Sequence, residues 1–104
     1  MFYEISALKL QDYEKWKVGF DELMPILNDN GAICRRIFRD LEDPNKVMVV
    51  VLWENLDQAN RLAADKEMQS KFQGLGILDV DIHHFEEIEN KNFKLIFFNS
   101  RNHV

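Results

Sequence analysis

The sequence predicts an α+β domain, a four-stranded antiparallel sheet carrying helices on one face. Three observations lead there. Residues 13–27 carry a helical apolar stripe, and residues 47–54 hold a dense run of β-branched and other apolar side chains. Short extended segments also stand before and after each helical stretch.

Taken in order, residues 2–10 (FYEISALKL) mix apolar and polar positions and give a first strand. Asp12 follows as an N-cap, its carboxylate placed to accept from the unpaired amides of the next turn. Tyr13, Trp16, Phe20, Leu23, Met24 and Leu27 then step at helical spacing, with Glu14, Lys15, Lys17, Asp21 and Glu22 mostly off the stripe. Pro25 has no amide to donate, which predicts a kink or a detached last turn. The run Asn28-Asp29-Asn30-Gly31 closes the helix, Gly31 supplying a positive φ.

Residues 32–39 (AICRRIFR) give a second strand, and Pro44 and Asn45 favour a reversal over residues 41–46. Residues 47–54 (VMVVVLWE) give the third strand. Seven of these eight residues are apolar, which predicts burial on both faces. Asn55 and Gln58, spaced as in a capping box, open a second helix whose apolar side is Ala59, Leu62, Ala63, Met68 and Phe72. Gly74 and Gly76 end it, and residues 80–88 (VDIHHFEEI) give a fourth strand. The order strand–helix–strand–strand–helix–strand is the split βαβ, ferredoxin-like arrangement, here over residues 1–90. Residues 91–104 form an apolar C-terminal extension, with three of the chain's eight phenylalanines at Phe93, Phe97 and Phe98. Such a segment is expected to pack, as a fifth strand on a neighbouring sheet or clamped on the core or on a partner.

The chain has 104 residues, the length of one domain, with 13 basic and 18 acidic side chains and a net charge of −5. That charge argues against nucleic acid, since Arg35, Arg36 and Arg39 fall on both faces of one strand. Cys34 is the single cysteine, so no intrachain disulfide and no multi-cysteine metal site can form. The N-terminal residues lack the pattern of a signal peptide and no apolar run is long enough to span a bilayer, which predicts a cytoplasmic protein without membrane contact. Two helices cover only one face of such a sheet. Leaving the second apolar face of residues 47–53 in water forgoes roughly 1.5–3 kcal/mol for each large side chain. The simplest cover is a second copy of the chain, sheet on sheet, so a homodimer is expected.

Several stretches resemble a known family. Asp12-Tyr13-Glu14-Lys15-Trp16-Lys17, Phe20-Asp21 and Gly31-Ala32 resemble the first half of small dimeric α/β-barrel proteins of the antibiotic biosynthesis monooxygenase type. Asp43-Pro44-Asn45, Trp53-Glu54, Leu56-Asp57-Gln58-Ala59, and Met68 ahead of Leu75-Gly76-Ile77 continue the resemblance, which covers roughly residues 5–89. It implies paired ferredoxin-like units, each with a mostly apolar pocket between helices and sheet. Some members oxygenate polycyclic phenols with no metal, flavin or other cofactor, the substrate anion itself reducing dioxygen. The haem-degrading branch depends on an Asn in the first strand, and residues 2–10 contain none.

From the oxygenating members the resemblance carries over Trp53 and one histidine of His83-His84. Adjacent strand residues face opposite ways, so the two cannot chelate one ion, and only one of them can reach a pocket as a phenol-accepting base. His84 is that residue if Val80 and Ile82 mark the pocket side, and His83 if Phe85 does. Trp16, Phe20 and Trp53 could wall a flat aromatic ligand, positions that a core uses equally. Arg36 could neutralise an anionic ligand, or simply pair with an acidic neighbour. Cys34 lacks an activating neighbour in sequence and reads as a small buried hydrophobe. Asp81, Glu86, Glu87 and Glu89 lack metal-ligand spacing and read as a solvated acidic strand end. Two functions follow: a cofactor-independent monooxygenase of quinol-like or polyketide-like aromatics, and a non-catalytic dimer binding an apolar ligand or a protein.

Overall fold

The computed structural model describes residues 1–93. Their elements run β1 (Phe2–Leu10), α1 (Tyr13–Asp29), β2 (Ala32–Arg39), β3 (Lys46–Trp53), α2 (Leu56–Ala64), α3 (Lys66–Gln73) and β4 (Ile77–Phe85). The four strands form one antiparallel sheet in the order β2-β3-β1-β4, the ferredoxin-like α+β arrangement that the sequence predicts. The expected packing of the C-terminal extension falls largely on residues 94–104, outside the described residues.

Alternation along each strand assigns its two faces. Leu8, Leu10, Val47, Val49, Val51 and Trp53 point inward and are buried, against Trp16, Phe20, Leu23 and Leu27 of α1. The outward face carries Ile5, Phe38, Met48, Val50, Leu52 and Phe85. Met48, Phe38 and Phe85 are each about half exposed on this single chain. β3 is therefore apolar on both faces, with helical cover on only one.

α1 runs unbroken through Pro25, so the predicted division of this helix does not occur. The second predicted helix is instead two. Asp65 adopts an extended backbone (φ −71°, ψ 123°), ends α2, and caps α3 by accepting a 2.9 Å hydrogen bond from the Met68 amide. Asn55 caps α2 as expected, its Oδ1 accepting from the Gln58 amide at 2.8 Å. β4 starts three residues earlier than the sequence pattern indicates, directly after Gly76, whose φ of 73° turns the chain into the strand. Cys34 is exposed rather than buried.

One residue ties the β2–β3 hairpin to the start of α1. The Asn45 carbonyl accepts from the Leu10 amide at 2.8 Å, and its side-chain Oδ1 accepts from the Tyr13 amide at 2.9 Å. Tyr13 is the first residue of α1, whose amide has no partner within the helix. Asn45→Ala removes this second cap and should cost about 1 kcal/mol. Thermal unfolding followed by circular dichroism should show a melting temperature lower by roughly 4–8 °C.

Candidate functional site

A cavity of about 270 Å³ lies between the inward face of the sheet and the three helices. Its helical wall is Trp16, Phe20 and Leu27 of α1, Leu62 of α2 and Phe72 of α3. Its sheet wall is Glu4, Ser6 and Leu8 of β1, Val49, Val51 and Trp53 of β3, and the inward residues of β4. Val80 and Ile82 line it while remaining 49% and 51% exposed, so the cavity meets solvent along β4. The helices seal the β3 side and leave the β4 side open.

The aromatic residues singled out from sequence do converge here. Trp16 and Phe20 stack at 5.0 Å between ring centroids with planes 18° apart, and both line the cavity with Trp53. Trp53 is 4% exposed, and its indole Nε1 has no hydrogen-bond partner. An unsatisfied buried donor of this kind costs roughly 1–3 kcal/mol.

The histidines divide by face as strand geometry requires. Neither lines the cavity. His83 points outward, 61% exposed, with Nε2 3.0 Å from Asp81. His84 lies on the inward face, opposite Glu4 in the β1–β4 register, and its Nε2 is 3.1 Å from Glu4 Oε2. The Phe2 ring meets His84 edge-on at 5.0 Å. His84 thus reaches the cavity through Glu4, the one ionisable side chain among the lining residues. Sequence reasoning missed Glu4. The pattern of β1 gives no sign of which face is buried, and only its register with Val51 and His84 places Glu4 inside.

Arg36 requires correction. A register shift between Ala32 and Cys34 inserts one residue into β2, so every side chain beyond it changes face. Arg36 pairs with Val50 on the outward face, and Arg35, opposite Val51, is the arginine that points inward. Its guanidinium lies 4.9 Å from the Phe20 ring centroid, on a residue that lines the cavity, and its Nη2 is 2.8 Å from Asp21 Oδ1. Its Nη1 is buried without a partner. No group of three or more His, Cys, Asp or Glu suited to a metal ion occurs among the described residues.

No protein-family model matches the chain, and no curated protein matches it in sequence. Solved structures do match its fold. SnoaB from Streptomyces nogalater, a cofactor-independent oxygenase, superposes with a TM-score of 0.76 at 11% identity, covering 86% of this chain and 94% of that one. A Bordetella bronchiseptica protein provisionally named an antibiotic biosynthesis monooxygenase gives 0.73 at 19% identity, with 85% and 97% covered. One from Caulobacter crescentus, with the same provisional name, gives 0.70 at 15% identity, with 85% and 90% covered. At such identities the likeness is one of fold.

Two exposed carboxylates contribute stability that is lost in acid. Hydrogen bonds from Lys17 and then Arg35 hold the Asp21 carboxyl below its ordinary value. The backbone amides of Asp43 and Glu42 do the same for Asp40. A folded-state value lowered in this way gives stability that is present above the unfolded value and is lost as pH falls through the folded one. The melting temperature should therefore hold down to about pH 5 and fall below about pH 4. Asp21→Asn should shallow that decline in an acid series of thermal melts.

Proposed function

We propose that the chain is a subunit of a homodimeric, cofactor-independent oxygenase for hydroxylated aromatic compounds. The observation that carries this reading is a cavity walled by Trp16, Phe20 and Trp53 with a single carboxylate, Glu4, among its described lining residues. The likeness to SnoaB, a cofactor-independent oxygenase, supports it. A flat ligand would stack among Trp16, Phe20 and Trp53, with its hydroxyl donating to Glu4. Its hydroxyl proton would leave by way of Glu4 and the half-exposed His84. The resulting electron-rich anion would pass an electron to dioxygen, and the two radicals would join at a ring C–H carbon conjugated with that oxygen. Loss of water would leave a carbonyl there, so that the ring C–H, the phenolic O–H and O₂ give a quinone and H₂O.

Volume bounds the ligand. A dry cavity of about 150 Å³ holds one benzene ring, so 270 Å³ suits a bicyclic core, with larger ring systems extending out past Val80 and Ile82. A binding module without turnover is the second reading, favoured by the absence of either histidine from the cavity wall. Dioxygen uptake with a hydroxylated bicyclic quinol separates the two. Oxygenase activity should lie well above the buffer rate and fall at least tenfold in Glu4→Gln, which keeps the shape and deletes the proton acceptor. Uptake equal to buffer, with the quinol still bound, would favour the module.

Assembly follows from the outward face. Ile5, Phe38, Met48, Val50, Leu52 and Phe85 form an apolar surface that a second sheet would cover about a two-fold axis. Light scattering should give twice the 12.4 kDa chain mass. Val50→Asp brings like charges together across the interface and should return the mass to that of one chain.

A further inference from the structure

We infer that Glu4 sets the specificity of the cavity, admitting ligands that present an uncharged hydrogen-bond donor and rejecting carboxylates and other anions. The inference rests on reading the cavity as a ligand site and goes further by assigning its charge preference. Glu4 is about three-quarters buried, and one carboxylate oxygen, Oε2, is held by His84 at 3.1 Å. The other, Oε1, has no hydrogen-bond partner among the described residues. Among the described residues, those lining the cavity include no Lys or Arg. Arg36 faces the opposite side of the sheet, and Arg35 is held by Asp21 and the Phe20 ring.

The cavity thus offers a ligand one carboxylate acceptor, at Glu4, set in an apolar wall. In the sheet, Glu4 lies between Val51 of β3 and His84 of β4 on the inward face, which fixes it at one end of the cavity. A hydroxyl can donate to Glu4. A methyl ether cannot, and leaves the carboxylate desolvated without compensation. A carboxylate ligand adds like-charge repulsion where the apolar surroundings screen it weakly. Phenols and other neutral donors are selected because the alternatives are penalised, not only because they fit.

Isothermal titration calorimetry at neutral pH with 2-naphthol, 2-methoxynaphthalene and 2-naphthoate tests this on the folded chain. The wild type should bind the naphthol at least tenfold more tightly than either other compound. Glu4→Gln keeps an acceptor and removes the charge, so it should relieve the exclusion of naphthoate while preserving the preference for hydroxyl over methoxy. Glu4→Leu should bring the naphthol and its ether within twofold of each other, with circular dichroism verifying the fold. Equal wild-type affinity for the three compounds, tightest binding of naphthoate, or an unchanged ranking in both variants would overturn the assignment. Absence of binding by all three would overturn it together with the ligand-site reading. Selective binding without dioxygen uptake would uphold Glu4 as the selector and remove only the oxygenase.

Discussion

The register of β1 is the constraint on which the other features depend. This strand lies between β3 and β4, and its pairings with both are fixed over nearly its whole length. A slip of one residue would turn Leu8 and Leu10 out of the core and bring Ile5 and Lys9 in. The same slip would move Glu4 to the opposite face and separate it from His84. Core and site are therefore specified together. Asn45 anchors one end of the strand at Leu10, and the Phe2–Trp53 pairing marks the other.

Much of this architecture can be read from the amino-acid order, because periodicity reports burial directly. The stripe from Tyr13 to Leu27 and the apolar run of β3 each have one physical explanation, and both occur where expected. The features that escape are those in which local pattern and tertiary geometry diverge. Residues 55–73 have helical spacing throughout, so the Asp65 break is hidden within a sequence equally suited to continuing the helix. In β2 a single inserted residue reverses the faces, which exchanges Arg36 for Arg35, and nothing in the composition of that strand marks it. In β1, Phe2, Glu4, Ser6 and Leu8 on one face are no more apolar than Tyr3, Ile5 and Ala7 on the other. The face that forms the site is chosen by its partners.

The cavity is kept open at an energetic cost. Trp53 carries a buried donor without a partner, and Arg35 carries a second at Nη1 beside the aromatic stack. A fully optimised core would satisfy or replace both groups. Both groups lie beside the aromatic wall, Trp53 as part of it and Arg35 over the Phe20 ring. The stacking of Trp16 on Phe20, and of Arg35 over Phe20, offsets part of that cost and holds the aromatic wall rigid.

The open side of the cavity is bounded by β4, and among the described residues β4 pairs only with β1, the strand at the opposite end of the described chain. The β2–β3 hairpin and the helices can form from neighbouring residues, whereas the β1–β4 pairing must close nearly the entire length of the domain. A chain emerging from the ribosome can thus assemble most of its core while β1 still exposes one edge. Glu4 remains without its histidine until Phe85 has been synthesised. Completion of the site and completion of the fold are the same late event.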